Sequence, residues 1–532
     1  MVGKRSRQVE LFDVGNVYPL ALKPGTFHAQ LAVASRHLFR DEDFAGVYAE
    51  KLGRPSVPPS LLALTTLLQH EAGVSDEEAI ERTGCDLRWA AVLGRHAGEP
   101  LCAKSTLQLF RSHLVLHDAV RIVFLSSIQE AKRKGLLKGK ALRLAIDTKP
   151  INGRGAVLDT YNLVAQAIRQ VTTALAKEAR QRPDAWLKAN GLARYTEPSV
   201  KGAADLDWSD KEAVQGLLTE LVQDARRVLD LAAGAGEAVR KEAALLGAIL
   251  LQDIEATEAA SSSGEPADGQ DCSTQNIARI KQGTAPGRIP SATDPEQRHG
   301  RKSKSRRFTG HKAAITTDID SQIVTSVGVL EGDAPDATGA LGLVEQAEAN
   351  TQMEAEETQA DCAYGDAETR IEFTQAGRTL LAKTPSEAER GKFPKSAFVI
   401  NHEHESVTCP EGHTCTTFVN DHKGGKIFLF AGACSGCPLR QFCTTSANGR
   451  TIRVHPMEAE LAQARAYQRT PVGREHLRQR VVVEHRLARL GQLGIGQARY
   501  VGRAKTHFQL TIAATVANLR RTWNWEAGST PA

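Results

Sequence analysis

No run of about 18 consecutive apolar residues occurs in this 532-residue chain, so no bilayer-spanning helix is expected. The first residues, MVGKRSRQVELFDV, carry basic side chains with no apolar stretch behind them. That pattern lacks the core of a secretory leader, and the chain reads as intracellular. An excess of one charge is missing too: 67 Lys and Arg against 62 Asp and Glu leave a net charge of +5. Such a balance permits a nucleic-acid partner without demanding one, so the clustering of basic residues matters more than their total. The cysteines do not form an even set. There are nine, and five of them crowd between Cys409 and Cys443, which in an intracellular chain favours metal ligation over disulfides. Hydrophobic content of 41% and charged content of 24% are those of an ordinary globular protein, and the length allows about three or four structural units.

The most informative stretch is LRLAIDTKPI, residues 142–151. Its apolar residues read as a strand, expected to stop abruptly because Pro150 has no amide hydrogen for a ladder. A carboxylate at the end of a buried strand, here Asp147, is costly unless it is paired or binds a cation. Turn capping is the ordinary alternative. The pattern recurs, however. Asp361 ends a second strand-like run, TQADCAYG, and Glu484 sits in the basic helical segment RQRVVVEHRLARL. A lone Glu among arginines ordinarily just balances charge. Together the three carboxylates suit a divalent-metal site for phosphodiester chemistry, which needs no histidine base, and none is obvious. Asp159 and Asp366 stand where helices begin and read as capping residues.

Residues 1–125 read as helical. Pro58-Pro59-Ser60 opens SLLALTTLLQHEA, which ends at Gly73; Ser75 with Glu78 forms a capping-box pattern, and Asp86 can cap LRWAAVLG, which carries Arg88 and Trp89. These short helices suggest a helix-turn-helix arrangement or, equally, an ordinary bundle. A single helix is then expected from Ser105 towards Lys132. Residues 160–257 read as a helical insertion, and 258–307 as a mobile linker whose basic end includes Arg301, Lys302, Lys304, Arg306 and Arg307. The strand KAAITTDI and its hairpin partner QIVTSVGVL follow, then helix, strand and helix, a mixed α/β order. Residues 396–455 form a separate small unit. Cys434 and Cys437 have the spacing that lets two thiolates reach one zinc ion; Cys409 and Cys443 complete a four-thiolate site, with His413 or Cys415 as a substitute ligand. Reduced cysteines in a small core are the alternative. The last hundred residues are basic and helical, with Arg480 and Arg486 flanking Glu484 and a final helix expected to turn Arg503, Lys505, Arg520 and Arg521 outward.

With AIDTKPINGRGAVLDTY, HGRKSKSRRFTGHKAAITTD, ADCAYGDAETR, CSGCPLRQFC and RVVVEHRLARLGQLGIGQARYVG in this order, the chain resembles bacterial insertion-sequence transposases of the DDE type. The resemblance implies an RNase H-like α/β core, a mixed sheet flanked by helices, over 140–395 and 456–525. It also implies an all-α DNA-binding domain over 1–125 and a zinc-ribbon-like insertion over 396–455. The implied triad is Asp147, Asp361 and Glu484, holding two Mg2+ or Mn2+ ions for strand cleavage and strand transfer. A structural Zn2+ would sit on Cys409, Cys434, Cys437 and Cys443. The implied partners are the terminal inverted repeats and target DNA, contacted by Arg88, Arg301, Lys302, Lys304, Arg306, Arg307, Arg480 and Arg486. A homodimer on the DNA, no membrane, and a cytoplasmic, nucleoid-associated location follow from the same resemblance. Arg480, four residues before Glu484, matches an arginine of a related signature, whereas Leu477 stands in place of its tyrosine and Gly491 in place of its later basic residue. A metal-dependent nuclease without joining activity and a DNA-binding protein without chemistry are the competing readings.

Overall fold

A computed structural model describes residues 1–6, 14–50, 53–257, 277–303, 305–384, 391–422 and 424–526. The fold is mixed α/β. Strand β1 (Ala141–Asn152) lies at its centre, and a small ladder of β2 (Ile254–Thr257) and β3 (Ile277–Ile280) stands apart. The main sheet is completed by β4 (Arg298–Arg301), β5 (Arg307–Asp318), β6 (Val324–Glu331), β7 (Glu354–Ala360) and β8 (Leu380–Ala382). Its order is β4-β5-β1-β7-β8, and β6 shares with β4 the outer edge of β5. β5 is antiparallel to β1, β4 and β6, whereas β1, β7 and β8 run parallel. Leu142, Leu144, Ala145 and Ile146 are wholly buried in succession because helices cover both faces of the sheet, which removes the alternation of a half-exposed strand.

β1 does not stop at Asp147; it continues through Pro150 to Asn152. Its pairing explains why. β7 accompanies β1 only as far as Ala145, while β5 accompanies it to Asn152. The Asn152 amide donates away from β5, to the Gly496 carbonyl at 3.1 Å. Pro150, two residues earlier, turns its nitrogen to that same open side, where no ladder bond is lost.

The helices of the N-terminal region begin and end at the punctuation in the sequence. Pro59–Ala72 ends on left-handed Gly73 at φ 69°. The Ser75 and Asp86 side chains cap Asp76–Cys85 and Leu87–Leu93. The single helix expected from Ser105 is two, Lys104–Leu116 and Val120–Arg133, separated by a turn in which Asp118 takes φ 49°. Trp89, Phe44 and Phe110 are buried in this region, but the core around them is completed by Phe508, Ile512, Val516, Leu519 and Trp523 of the terminal helix, Arg503–Glu526. The other face of that helix sends Leu510, Ala513, Ala514 and Ala517 into the sheet core. Covered on both sides, it does not turn all its basic residues outward. Arg520 bonds Glu71 and lies 5.3 Å from the Phe27 ring centroid, and Arg521 donates to the Ser321 carbonyl at 3.1 Å.

The helical insertion has its own core, including Leu163, Ile168, Leu221 and Val228. The basic segment that follows is not a mobile linker over its described part. Ser291, Asp294 and Gln297 are wholly buried, and β4 forms a hairpin with β5, because an unpaired length of β5 edge is available beyond the end of β6. Residues 258–276 of that expected linker lie outside the described residues. The cysteine-rich unit consists of two three-stranded sheets, β9 (Val399–Asn401), β10 (Ser406–Thr408) and β11 (Thr414–Cys415), then β12 (Phe418–Asn420), β13 (Lys426–Leu429) and β14 (Thr451–Val454). Among the described residues no helix is long and apolar enough to cross a membrane.

Because the terminal helix serves two cores at once, Leu519→Ala should destabilise the protein by about 2–5 kcal/mol, the usual cost of emptying a wholly buried leucine site. Denaturant unfolding measures it. A loss well under 1 kcal/mol, below the ordinary range for such a site, would mean the helix is not needed by the N-terminal core.

Candidate active site

Two of the three carboxylates are brought together by strand register. β1 and β7 are parallel, with Ala145 opposite Gln359. Two residues further along each strand, the same alignment sets Asp147 and Asp361 at one end of the sheet. Asp147 is 7% exposed, and its Oδ1 accepts the Thr148 amide at 2.7 Å. Asp361 directly follows β7 and caps the next turn, its Oδ1 accepting the Ala363 amide at 2.8 Å. Each bond uses only one carboxylate oxygen.

Glu484 arrives from a helix. The basic helical segment around Glu484 is part of a pair of helices, Pro471–Arg478 and Val481–Leu490, the second packing Val483, Leu487 and Leu490 into the sheet core. Glu484, one residue past buried Val483, emerges at the edge of that packed face, and its Oε1 pairs with Arg480 at 2.9 Å. Asp147, Asp361 and Glu484 line one cavity of about 950 Å³.

The electrostatics follow from that convergence. Burial pushes the Asp147 carboxyl up to about 6, and Asp361 adds to this; the Thr148 amide, Lys302 and Arg480 oppose it. Tyr364, wholly buried behind the site, has a hydroxyl with no hydrogen-bond partner. Burial and then Asp147, Asp336 and Asp361 raise its pKa. Oxygen donors that repel one another in a pocket suit a hard divalent cation. They do not form a finished shell: among the described residues no group of three or more His, Cys, Asp or Glu is arranged to hold a metal ion by itself. Magnesium keeps several waters and takes substrate phosphate oxygens, so an open carboxylate set fits it.

Of the basic residues singled out in the sequence, Lys302, Arg306, Arg307 and Arg480 line this cavity. Lys302 Nζ donates to the Thr148 carbonyl at 3.2 Å, and Arg480 Nη1 is buried without a partner. Arg301 ends β4 opposite Arg307 and is not part of the lining. Lys304 lies outside the described residues. Arg486, two residues beyond Glu484 on a helix, points elsewhere; its Nη2 reaches Gln322 at 3.4 Å. Burial, then Arg521 and Arg489, push its pKa down to about 10. Arg88 is on the helix Leu87–Leu93, paired with Asp86 at 2.6 Å. Asp159 and Asp366 cap the helices Thr160–Glu178 and Ala367–Gln375 and do not line the cavity. Sequence reasoning missed Lys149 and Tyr364. Lys149 had a legible signal, since residues two apart on a strand share a face with Asp147. Tyr364 had none.

Cys409, Cys434, Cys437 and Cys443 line a second, small cavity. Burial pushes the Cys443 thiol up, opposed by Arg450 and reinforced by Cys434, Cys409 and Cys437. The Cys415 thiol turns away to the Thr417 and Leu429 carbonyls at 3.3 and 3.2 Å, and neither Cys415 nor His413 lines this cavity.

The raised Asp147 pKa has a consequence for stability. The folded state holds this proton to about 6, against 3.8 for the free side chain. The charged carboxylate therefore costs stability above that window, and the cost fades as pH falls towards 3.8. In EDTA at pH 7–8, Asp147→Asn should be more stable than wild type by on the order of 1–3 kcal/mol. A thermal-shift pH series should show the gain shrinking on acidification; a variant less stable at neutral pH contradicts the assignment.

Residues 408–523 match a family model described as "Transposase DDE domain", and residues 25–113 match one described as "Transposase domain (DUF772)". The first match contains Glu484 and all five cysteines from Cys409 to Cys443 and begins after Asp147 and Asp361. No curated protein and no solved structure matches the chain. The two matches lie towards opposite ends of one chain, and together they support the family to which the motifs point, the insertion-sequence transposases of the DDE type.

Proposed function

We propose that this transposase binds the terminal repeats of its element and cleaves and joins DNA strands with Asp147, Asp361 and Glu484, on an RNase H-like core. The observation that carries the reading is the meeting of those carboxylates with Lys302, Arg306, Arg307 and Arg480 on one cavity. The strand order supports it as well: an antiparallel set β6-β5-β1 is extended by parallel β7 and β8, with the carboxylates at the end of the parallel pair. Two Mg2+ or Mn2+ ions held by the three carboxylates would supply activation of the attacking oxygen and stabilisation of the leaving one in an in-line displacement.

The chain's own residues do the rest. Asp147, Asp361 and Glu484, which line one cavity, would hold the ions between them. Arg480 holds Glu484 in place through their ion pair. The basic hairpin β4–β5 brings cations to the sugar–phosphate backbone, a contact that carries affinity without sequence. Water and then a 3′-hydroxyl would use the same carboxylates in turn, first to cut and then to join. Reading of the terminal repeats falls to the N-terminal helices with Arg88, in a homodimer on nucleoid DNA. The thiols of Cys409, Cys434, Cys437 and Cys443 line one cavity but are not drawn together as a ligand set; were they to close on a zinc ion, it would be structural, with no open coordination position.

Asp147→Asn, Asp361→Asn and Glu484→Gln should each fold and bind DNA ends yet lose magnesium-dependent strand cleavage by at least about 100-fold, since each removes a charge that holds a cation. Asp159→Asn and Asp366→Asn should cleave nearly as wild type. Normal cleavage by Glu484→Gln would remove the late helix from the site and overturn the reading.

Freshly reduced, unchelated protein should contain about one zinc per chain, released by thiol modification. Metal analysis that finds none would leave the cysteine cluster as a plain core.

A further inference from the structure

Lys149 has no part in the carboxylate chemistry, yet its side chain is closely held. It follows Asp147 by two positions on extended β1, so both side chains leave the same face of the sheet. Its Nζ donates to the Leu487 carbonyl at 3.2 Å, in the last turn of the helix that carries Glu484. A cation is favoured at that end of a helix.

Gly491 stands next to it. With φ −60° and ψ −40°, its backbone has an ordinary helical conformation open to any residue, so the conformation does not call for glycine. The space does. A Cβ at this position would stand 2.3 Å from Lys149 Nζ and 3.4 Å from its Cε. The Lys149 ammonium fills the place from which a side chain at 491 would grow.

Across the cavity, Lys302 and Arg306 line the same space as Lys149. Lys302 also lies in the field of Asp147, and its Nζ has the Thr148 carbonyl as its hydrogen-bond acceptor. Arg306 and Lys302, both in the turn of the β4–β5 hairpin, and Lys149 of the central strand thus converge on one polar space. Such a gathering of like charges is stabilised by an anion, and a phosphodiester is the anion that the adjoining carboxylates are suited to process.

We propose that Lys149, Lys302 and Arg306 form a subsite for one backbone phosphate of the bound DNA, beside the carboxylates, with glycine at 491 leaving room for the Lys149 ammonium. The inference rests on DNA being the substrate of this cavity.

The test uses the full chain in EDTA with a short, blunt DNA duplex of arbitrary sequence, its binding followed by fluorescence anisotropy over a salt series. Lys149→Met should make the slope of log K against log salt shallower by about 0.9, the value of one lost phosphate contact. Gly491→Ala, which displaces the ammonium, should give part of that change in the wild-type background and none in the Lys149→Met background. The exchange Lys149→Ala with Gly491→Lys should restore the slope, which a merely structural lysine would not do. Should Lys149→Met fail to fold, Gly491→Ala, favourable in a helical conformation, carries the test. An unchanged slope in these variants, with wild type binding normally, overturns the subsite alone and leaves the triad assay standing. Failure of the wild-type chain to bind the duplex overturns the subsite and the proposed function together.

Discussion

The pairing of β1 with β7 stops at Ala145, while its pairing with β5 runs on to Asn152. On that mismatch the site depends. From Ala145 until Asn152 bridges Gln497, β1 has a backbone neighbour on one side only, and the open stretch is where Asp147 meets Asp361 and where Lys149 reaches the helix behind Glu484. Had β7 continued, Asp147 would lie inside a closed ladder. Had β1 stopped, as proline suggests, Lys149 and the Asn152 contact to Gly496 would be lost. Pro150 is compatible with this arrangement because its side of the strand has no ladder to break.

The cavity that results is electrostatically costly when nothing is bound. Asp147 is pushed towards its neutral form by burial and by Asp361, while Lys149 feels burial together with Arg306 and Lys302. An acidic set and a basic set thus face one space, joined by the Arg480–Glu484 ion pair and only partly offsetting each other. Cations and phosphate oxygens entering together would relieve both. This is the arrangement expected where binding energy comes from the ligand's charges and not from apolar surface.

The terminal helix links that site to the rest of the molecule. Its two faces complete two cores, the helical one around Trp89 and the one beneath the sheet. Asn518 adds a polar tie, its side chain accepting from the Val324 amide at 2.8 Å and donating to the Val324 carbonyl at 2.9 Å. The N-terminal helices are therefore joined to the main sheet through packed side chains, even though residues from the two ends of the sequence build the joint.

Much of this was legible in the sequence because it depends on local chemistry. The caps at Ser75, Asp86, Asp159 and Asp366 and the stop at Gly73 are properties of single residues, and the strands around β5 and β7 announce themselves by composition. The three carboxylates could be selected because their neighbours are strand-forming or helical, and the cysteine spacing pointed to four thiols, though only packing turned Cys415 away from them. What sequence did not reveal are relations between distant segments: how far β7 accompanies β1, why proline is tolerated, which helix covers both cores, and that the basic segment before β5 pairs as a hairpin. Gly491 shows the division most clearly. Its sequence neighbourhood shows only a missing basic residue, and only the folded chain brings Lys149 into that space, because contacts between residues more than three hundred positions apart are set by packing and not by local pattern.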